Sequence, residues 1–299
     1  MTDDYQVSHR AVRHSFDQAA AAYDEAAVLQ REVADRLLER LELVRLAPRR
    51  ILDAGSGTGY VSTAIARRYP KAQIIALDLA HGMVCRARAR FGFIARRLRH
   101  HGFVCADVER LPLAAGSVDL IVSNLALQWC NPLDVVFAEF RRVLAPGGLL
   151  MFTTFGPDTL KELRASWAAA DGAVHVNAFI DMHDVGDALV HARLADPVME
   201  REEIAVTYPR VEGLLRDLKA IGAHNLNAGR ARGLTGRRRF AAMRDAYEGF
   251  RRDDRLPATY EVIYGHAWAP TAGERERGAP GEVRIPLGDV KSGLRQGEP

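Results

Sequence analysis

The sequence predicts an α/β fold in which a mostly parallel, twisted sheet carries helices on both faces. The first observation is the run Ile-Leu-Asp-Ala-Gly-Ser-Gly-Thr-Gly at 51–59, where an apolar strand enters a glycine-rich turn and then a helix over 60–69. The second is a series of apolar segments that each end in a polar residue. Since ligands of open α/β sheets bind at the carboxyl ends of the strands, these observations predict a ligand site at that edge.

Four further strands are predicted from the apolar segments after the turn. They span 73–78, 102–106, 118–124 and, after the turn Pro146-Gly147-Gly148, 149–154. Asp53, Asp78 and Asp107 then lie along one edge of the sheet. An acid about 20 residues past a glycine loop sits at the tip of the second strand and binds the hydroxyls of a ribose.

The glycine loop itself indicates which kind of ligand fits. Gly55, Gly57 and Gly59 lack a Cβ, so the turn can be tight and its backbone can approach a ligand closely. Dinucleotide-binding loops commonly have the spacing Gly-x-Gly-x-x-Gly and place a pyrophosphate at the helix N-terminus. This loop has Gly-x-Gly-x-Gly preceded by Asp53. An acid there would repel a pyrophosphate but suits a cation or an ammonium group.

The pattern Asp-x-Gly-x-Gly-x-Gly resembles the first motif of class I S-adenosylmethionine-dependent methyltransferases, as do Leu111-Pro112-Leu113, Val118-Asp119-Leu120 and the run at 142–148. The resemblance covers roughly 45–155 and implies a Rossmann-like fold. It implies S-adenosyl-L-methionine as the cofactor, with the loop under its methionyl part, Asp78 on the ribose and Asp107-Val108 at the adenine. The implied cofactor-binding residues are Asp53, Gly55, Ser56, Gly57, Gly59, Asp78, Leu79, Met83, Asp107, Val108 and Asn124.

Segments outside this core carry a narrower resemblance. The runs at 15–24, 123–130, 152–155, 160–163 and 218–223 are similar to the malonyl-acyl-carrier-protein O-methyltransferases of biotin synthesis. This resemblance covers about 10–268 and implies methylation of the free carboxyl of a malonyl thioester on acyl carrier protein, or on coenzyme A. The residues it nominates as catalytic are Tyr23, Gln128, Trp129 and Arg230.

The reaction that the resemblance implies needs no general base. A carboxylate is already ionised at neutral pH, so methyl transfer to it depends on alignment and on exclusion of water. Tyr23 would close the site over the cofactor or else pack its own helix, and Trp129 would face the acceptor or else belong to the core. His175, Asn177 and Arg230 lie late in the chain, and Arg230 would neutralise the malonyl carboxylate or else lie on the surface.

Two other functions remain open from the sequence. Phe155–Arg164, Tyr208-Pro209 and Leu256–Tyr260 also resemble the methyltransferase-like assembly factors of respiratory complex I, which are credited with arginine hydroxylation. The other alternative is a methyltransferase that acts on a small free acid or a quinone precursor.

Composition limits the partners and the compartment. The 299 residues are 48% hydrophobic without an 18-residue apolar run, so no membrane span is expected, and no signal peptide is visible. The three cysteines are widely spaced, which indicates thiols in a reducing cytoplasm and no metal site. The segment 201–252 holds twelve basic and six acidic residues, which indicates either a solvated face or a docking surface for an acidic macromolecule, for which an acidic protein is a better candidate than nucleic acid.

The predicted organisation has four parts. Residues 1–46 form a helical lid in which Leu29, Val33, Leu37 and Leu41 make one apolar stripe. Residues 47–156 form the cofactor-binding core. Residues 157–268 form an insertion with helices near 159–170, 184–192 and 211–221 and two final strands, 204–207 and 259–266. Residues 269–299 are predicted to be disordered.

Overall fold

A computed structural model of the chain describes residues 7–92, 100–223, 225–227 and 236–271. Within these residues seven strands form one sheet. They are β1 (Arg50–Ala54), β2 (Gln73–Asp78), β3 (Gly102–Cys105), β4 (Val118–Asn124), β5 (Leu144–Phe155), β6 (Ala195–Tyr208) and β7 (Leu256–Trp268). Their order is β3-β2-β1-β4-β5-β7-β6, parallel from β3 to β5, with β7 antiparallel to both β5 and β6.

Helices precede the sheet, connect its strands and cover it. They are α1 (His9–Ala19), α2 (Tyr23–Ala26), α3 (Val28–Glu42), α4 (Tyr60–Arg68), α5 (His81–Arg90), α6 (Leu133–Val143), α7 (Lys161–Ala168), α8 (Met182–His191), α9 (Val211–Ala220) and α10 (Arg237–Glu248). A 3-10 turn spans Leu127–Trp129. The apolar stripe predicted from Leu29 to Leu41 is confirmed, because all four of its residues are buried along α3.

The sheet is buried on both faces, as the α/β prediction requires. Successive residues of β1 point to opposite faces, so Ile51 packs with α3 and α4 while Leu52 packs with α6 on the other side. Phe137 and Phe140 of α6 are completely buried there. The predicted α/β fold with helices on both faces is therefore confirmed.

The last two strands are longer than the sequence pattern indicates. The prediction gave 204–207 and 259–266, whereas β6 has 14 residues and β7 has 13. β6 lies at the edge of the sheet, and most of its residues are at least partly exposed. Its charged run at 200–203 therefore interrupts the apolar alternation that marks a strand.

Smaller differences concern the other boundaries. β5 begins at Leu144 and includes the Pro146-Gly147-Gly148 turn, and β3 ends one residue before the predicted 106. The predicted lid contains three helices. Among the described residues, no helix combines the length and the apolar character needed to cross a membrane. The predicted disordered tail lies outside the described residues from 272 onward.

Candidate active site

A cleft with an empty volume of about 700 Å³ opens at the carboxyl ends of β1, β2 and β4. The glycine loop and the tip of β2 form its floor, and α1 and Tyr23 cover it. The segment that follows β4 closes the side opposite β2. The cleft therefore lies at the edge of the sheet where the sequence predicts a ligand.

The glycine loop is held against the end of β2 by its own backbone. The N–H groups of Gly55 and Ser56 both donate to the carbonyl of Leu77, at 2.8 and 2.9 Å. Gly57 has a φ of +51°, and a Cβ placed on it would meet no heavy atom within 4 Å. Since Gly57 also lines the cleft, its backbone faces open space that a ligand can enter.

Asp78 connects three parts of the site through one carboxylate. One oxygen accepts the N–H of Gly57 at 2.9 Å, and the other accepts the N–H of Ala80 at 2.9 Å, just before α5. Burial raises the pKa of Asp78 to about 6, although the backbone N–H groups oppose this shift. Asp78 also lines the cleft, so its remaining lone pairs can accept hydroxyl donors.

Asp53 lies beneath the loop rather than on the cleft wall. The residue is 1% exposed, and one carboxylate oxygen accepts the hydroxyl of Ser62. Its other oxygen and the hydroxyl of Ser56 are buried without a hydrogen-bond partner among the described residues. Burial, followed by the charge of Asp78, raises the pKa of Asp53 to about 7. A buried carboxylate oxygen that accepts no hydrogen bond favours a cationic donor above the loop and disfavours a phosphate there.

The lid helix α1 forms a whole wall of the cleft. His9, Val12, Arg13 and Phe16 line it, spaced as one face of a helix. Asp17 on the same helix accepts the N–H of Gly82 at 2.7 Å, which attaches α1 to the start of α5. The sequence prediction did not include these four residues, although the i, i+3, i+4, i+7 spacing was a signal that could have identified them.

His9 fastens the lid at the adenine side implied by the resemblance. Its Nδ1 lies 2.8 Å from a carboxylate oxygen of Asp107, and its Nε2 lies 3.0 Å from one of Glu109. A neutral imidazole has only one N–H to donate, so both contacts are hydrogen bonds only when His9 is protonated. His9 therefore joins the lid to the segment after β3 through its close contacts with Asp107 and Glu109.

Aromatic side chains close the deeper part of the cleft. Phe16 packs edge-on against Trp129, with ring centroids 5.4 Å apart, and lies 6.5 Å from the ring of Tyr23. Burial and the nearby charges of Asp78 and Asp24 raise the pKa of Tyr23 well above its ordinary value. The phenol therefore stays protonated and offers the cleft a hydrogen-bond donor.

The structure brings most of the predicted site residues to the cleft and leaves others away from it. Those on its wall are Tyr23, Gly55, Gly57, Asp78, Leu79, Met83, Asp107, Val108, Asn124 and Trp129. Asp53 near the end of β1 and Ser56 and Gly59 in the loop do not line the cleft. Their predicted contacts with the cofactor, and those of the residues on the wall, stay predictions.

Gln128, which the sequence nominates as catalytic, does not line the cleft. Its amide donates to the carbonyl of Leu125 at 2.7 Å in the 3-10 turn after β4. Arg230, another residue nominated as catalytic, lies outside the described residues. His175 and Asn177 line a different groove and not this cleft.

Comparisons with known proteins identify the family. A family model described as a methyltransferase domain matches residues 52–152. A malonyl-[acyl-carrier protein] O-methyltransferase of Laribacter hongkongensis is 57% identical over 281 residues, 93% of this chain and 95% of the relative. The enzyme of the same name from Methylovorus sp. is 56% identical over 90% of this chain and 92% of the relative. This chain belongs to the malonyl-[acyl-carrier protein] O-methyltransferase family. It is an S-adenosylmethionine-dependent methyltransferase.

Solved structures of other methyltransferases share the fold of this family member. A putative methyltransferase from Bacillus halodurans superposes with a TM-score of 0.55 at 19% identity and covers 79% of this chain and 99% of its own. Phosphoethanolamine N-methyltransferase 2 of Haemonchus contortus, in complex with S-adenosyl-L-methionine, gives a TM-score of 0.53 at 16% identity, over 85% of this chain and 57% of its own.

The cleft fits the cofactor of the family by its own chemistry. The open space over Gly57 admits a ligand close to the backbone, and the carboxylate of Asp78 faces it with free lone pairs. The unpartnered oxygens of Asp53 and Ser56 are buried beneath the loop, where they favour a cationic group above it without touching the cleft. The backbone at Gly57 and the carboxylate of Asp78 would hold the cofactor's methionyl and ribose parts, and Asp107 and Val108 its adenine.

The raised pKa of Asp53 predicts a pH-dependent stability in the ligand-free protein. In the unfolded chain the carboxyl ionises near 3.8, but in the folded protein it ionises near 7. Its contribution to stability is therefore complete below about pH 4 and is lost as the pH rises to about 7.

The variant Asp53→Asn tests this pH dependence, because its amide oxygen still accepts the hydroxyl of Ser62 but the side chain cannot ionise. Urea unfolding should show that the variant loses less stability than the parent across this range, by about 4 kcal/mol. Parallel pH profiles for the two proteins would contradict the assignment.

The position of Asp78 predicts a direct contribution to cofactor affinity. Asp78→Ala removes a charged acceptor for ribose hydroxyls and should weaken S-adenosylmethionine binding by about 1.5–3 kcal/mol, roughly 10- to 100-fold. Calorimetry on the folded variant measures this directly. The control is Asp35→Ala, which removes a surface carboxylate that accepts the hydroxyl of Tyr60 away from the cleft. Unchanged affinity in a folded Asp78 variant would remove this residue from the site.

Proposed function

We propose that this chain transfers a methyl group from S-adenosylmethionine to the free carboxylate of a malonyl thioester carried on acyl carrier protein, an early step of biotin synthesis. The observation that carries the proposal is the name shared by relatives that are 50–57% identical along nearly the whole chain. Since the alignment spans 93% of this chain and 95% of the first relative, the likeness is not restricted to the cofactor domain.

The side chains on the cleft wall fit an acceptor that is already ionised. When bound, S-adenosylmethionine supplies an electrophilic methyl group. A carboxylic acid in water ordinarily ionises near pH 4, so the acceptor needs no general base at neutral pH. Burial keeps both the Tyr23 phenol and the Cys130 thiol protonated, because it raises both pKa values above their ordinary range. The cleft therefore offers hydrogen-bond donors and apolar walls, which orient the acceptor and exclude water.

Three side chains on the cleft wall are candidates to position the malonyl carboxylate. Tyr23 offers a hydroxyl donor, and Trp129 offers an aromatic wall beside the segment after β4. Arg13 on the lid offers a guanidinium that is half-exposed and 4.0 Å from Asp17. Arg230 remains a predicted partner of the carboxylate, and it lies outside the described residues.

The partner we infer is an acidic carrier protein, and α10 offers it a basic surface. Arg237, Arg238 and Arg239 are the first three residues of this helix. Arg239 lies 3.7 Å from Asp171, whereas Arg237 and Arg238 take part in no ion pair among the residues that the structure describes. Free guanidinium groups on one helix end attract an acidic surface over a long range. A carrier and an enzyme of this kind would meet in the cytoplasm.

The proposal is tested by incubating the protein with S-adenosylmethionine and a set of acceptors, followed by intact-mass analysis. Malonyl-carrier should gain the mass of one methyl ester, whereas succinyl-carrier should gain it more slowly and free malonate hardly at all. Methylation of the free acid alone would favour the small-acid alternative. A gain of one oxygen on an arginine of a protein substrate would favour hydroxylation.

The basic surface predicts a salt-dependent reaction with the carrier. The double variant Arg237→Glu/Arg238→Glu should lower kcat/KM for malonyl-carrier by about tenfold at low ionic strength, and added salt should reduce the difference. Acidic residues suit a helix N-terminus, so α10 should stay folded. A small malonyl thioester serves as the control substrate, and its turnover should not change. Equal losses for the two substrates would mean that these arginines do not dock the carrier.

A further inference from the structure

A second groove is distinct from the active-site cleft. It has an empty volume of about 950 Å³ between the C-terminal half of α7 and the segment 171–179. Trp167, Asp171, Gly172, His175 and Phe179 are among its lining residues. The groove contains none of the residues that line the cofactor cleft.

One wall of the groove is built rigidly from polar and aromatic groups. The rings of Trp167 and His175 stack with centroids 3.8 Å apart and planes 11° from parallel. The imidazole Nε2 of His175 lies 2.7 Å from a carboxylate oxygen of Asp171, which also accepts the N–H of Ala173 at 3.0 Å. The side chains of His175 and Asp171 are 14% and 13% exposed. This wall is therefore ordered before any ligand arrives.

The opposite side of the groove is backbone without regular pairing. Residues 172–180 adopt neither helix nor strand. The N–H of Ala173 already donates to Asp171 and the carbonyl of Val174 accepts the amide of Asn225, whereas the peptide groups of Val176 and Ala178 have no hydrogen-bond partner among the described residues. Unpaired peptide groups in an extended segment can exchange hydrogen bonds with the amides of a ligand. The lining therefore combines apolar side chains with some unpaired peptide groups, which suits a narrow chain that contains amides.

The groove extends from the basic surface to the end of β5, a strand that pairs with β4 at the cofactor cleft. At one end, Asp171 lies 3.7 Å from Arg239, next to Arg237 and Arg238 at the start of α10. At the other end, the ring of Phe179 lies 5.6 Å from that of Phe155, the last residue of β5. β5 pairs directly with β4, whose last residue Asn124 lines the cofactor cleft, and paired strands are about 5 Å apart.

We propose that this groove binds the phosphopantetheine arm through which the carrier presents its malonyl thioester. The arm is a flexible chain with two amides, an apolar branched segment and a phosphodiester at the carrier end. The amides of the arm exchange hydrogen bonds with the unpaired peptide groups of the groove, and its apolar segment packs against Trp167 and Phe179. The phosphodiester lies near the arginines at the start of α10. The inference rests on the proposed function, because it assumes a thioester substrate on a carrier.

Gly172 allows the groove to be filled without disturbing the fold. A Cβ at this position meets no heavy atom within 4 Å, so Gly172→Phe should place its ring in or over the groove. The matched control is Gly92→Phe, since a Cβ on Gly92 also meets nothing within 4 Å and this residue lines neither the groove nor the cleft. Both variants should keep the parent affinity for S-adenosylmethionine.

The kinetic test compares substrates with and without the arm. Gly172→Phe should lower kcat/KM for malonyl-carrier through KM by at least about tenfold, the effect of losing about 1.4 kcal/mol of binding free energy. Malonyl-N-acetylcysteamine, which lacks most of the arm, should react as with the parent, and Gly92→Phe should react like the parent with both substrates. An equal loss for both substrates, or no loss for either, would overturn the inference.

A binding test separates this inference from the proposed function. Calorimetry on the parent should give tighter binding for the carrier bearing its unacylated arm than for the carrier without it, and Gly172→Phe should remove that difference. This result would support the groove even if no malonyl substrate were methylated, in which case only the proposed function would fail. Equal binding of the two carriers to the parent would overturn the groove assignment.

Discussion

The carboxylate of Asp78 is the contact on which the rest of the site depends. It holds the N–H of Gly57 in the glycine loop and the N–H of Ala80 before α5, so one side chain fixes two segments at the tip of β2. A buried carboxylate is costly unless hydrogen-bond donors surround it. The backbone supplies those donors, and the loop conformation follows from that requirement. The same group therefore organises the floor of the cleft and faces its ligand.

The sequence predicted the floor of the site better than its cover. Gly55, Gly57 and Asp78 are close in sequence to the strands that carry them, so local pattern and chain topology together place them at one edge. The cover depends on contacts between distant residues, such as His9 with Asp107, which are 98 positions apart. No local pattern encodes such a pairing. The orientation of Gln128 is likewise set by the fold, because the 3-10 turn directs its amide to the carbonyl of Leu125.

The carboxylate of Asp107 both attaches the lid helix and lines the cleft. Asp107 accepts the N–H of Glu109 with one oxygen and faces His9 with the other. A ligand that contacts Asp107 therefore meets the same group that attaches α1. Since Asp17 and His9 attach the two ends of this helix to different elements, the lid is joined to the sheet edge at both ends rather than hinged at one.

The long edge strand β6 has a consequence for how the molecule behaves at high concentration. An exposed edge leaves backbone donors and acceptors along its length, and such an edge can recruit a strand from another molecule. Glu200, Arg201, Glu202 and Glu203 place charges there, and Arg36 and Arg40 of α3 pair with two of them. A second copy that added its own β6 would place a second set of these charges, three of them negative, beside the first. The charged residues that hid the first part of β6 from prediction thus also disfavour aggregation through this edge.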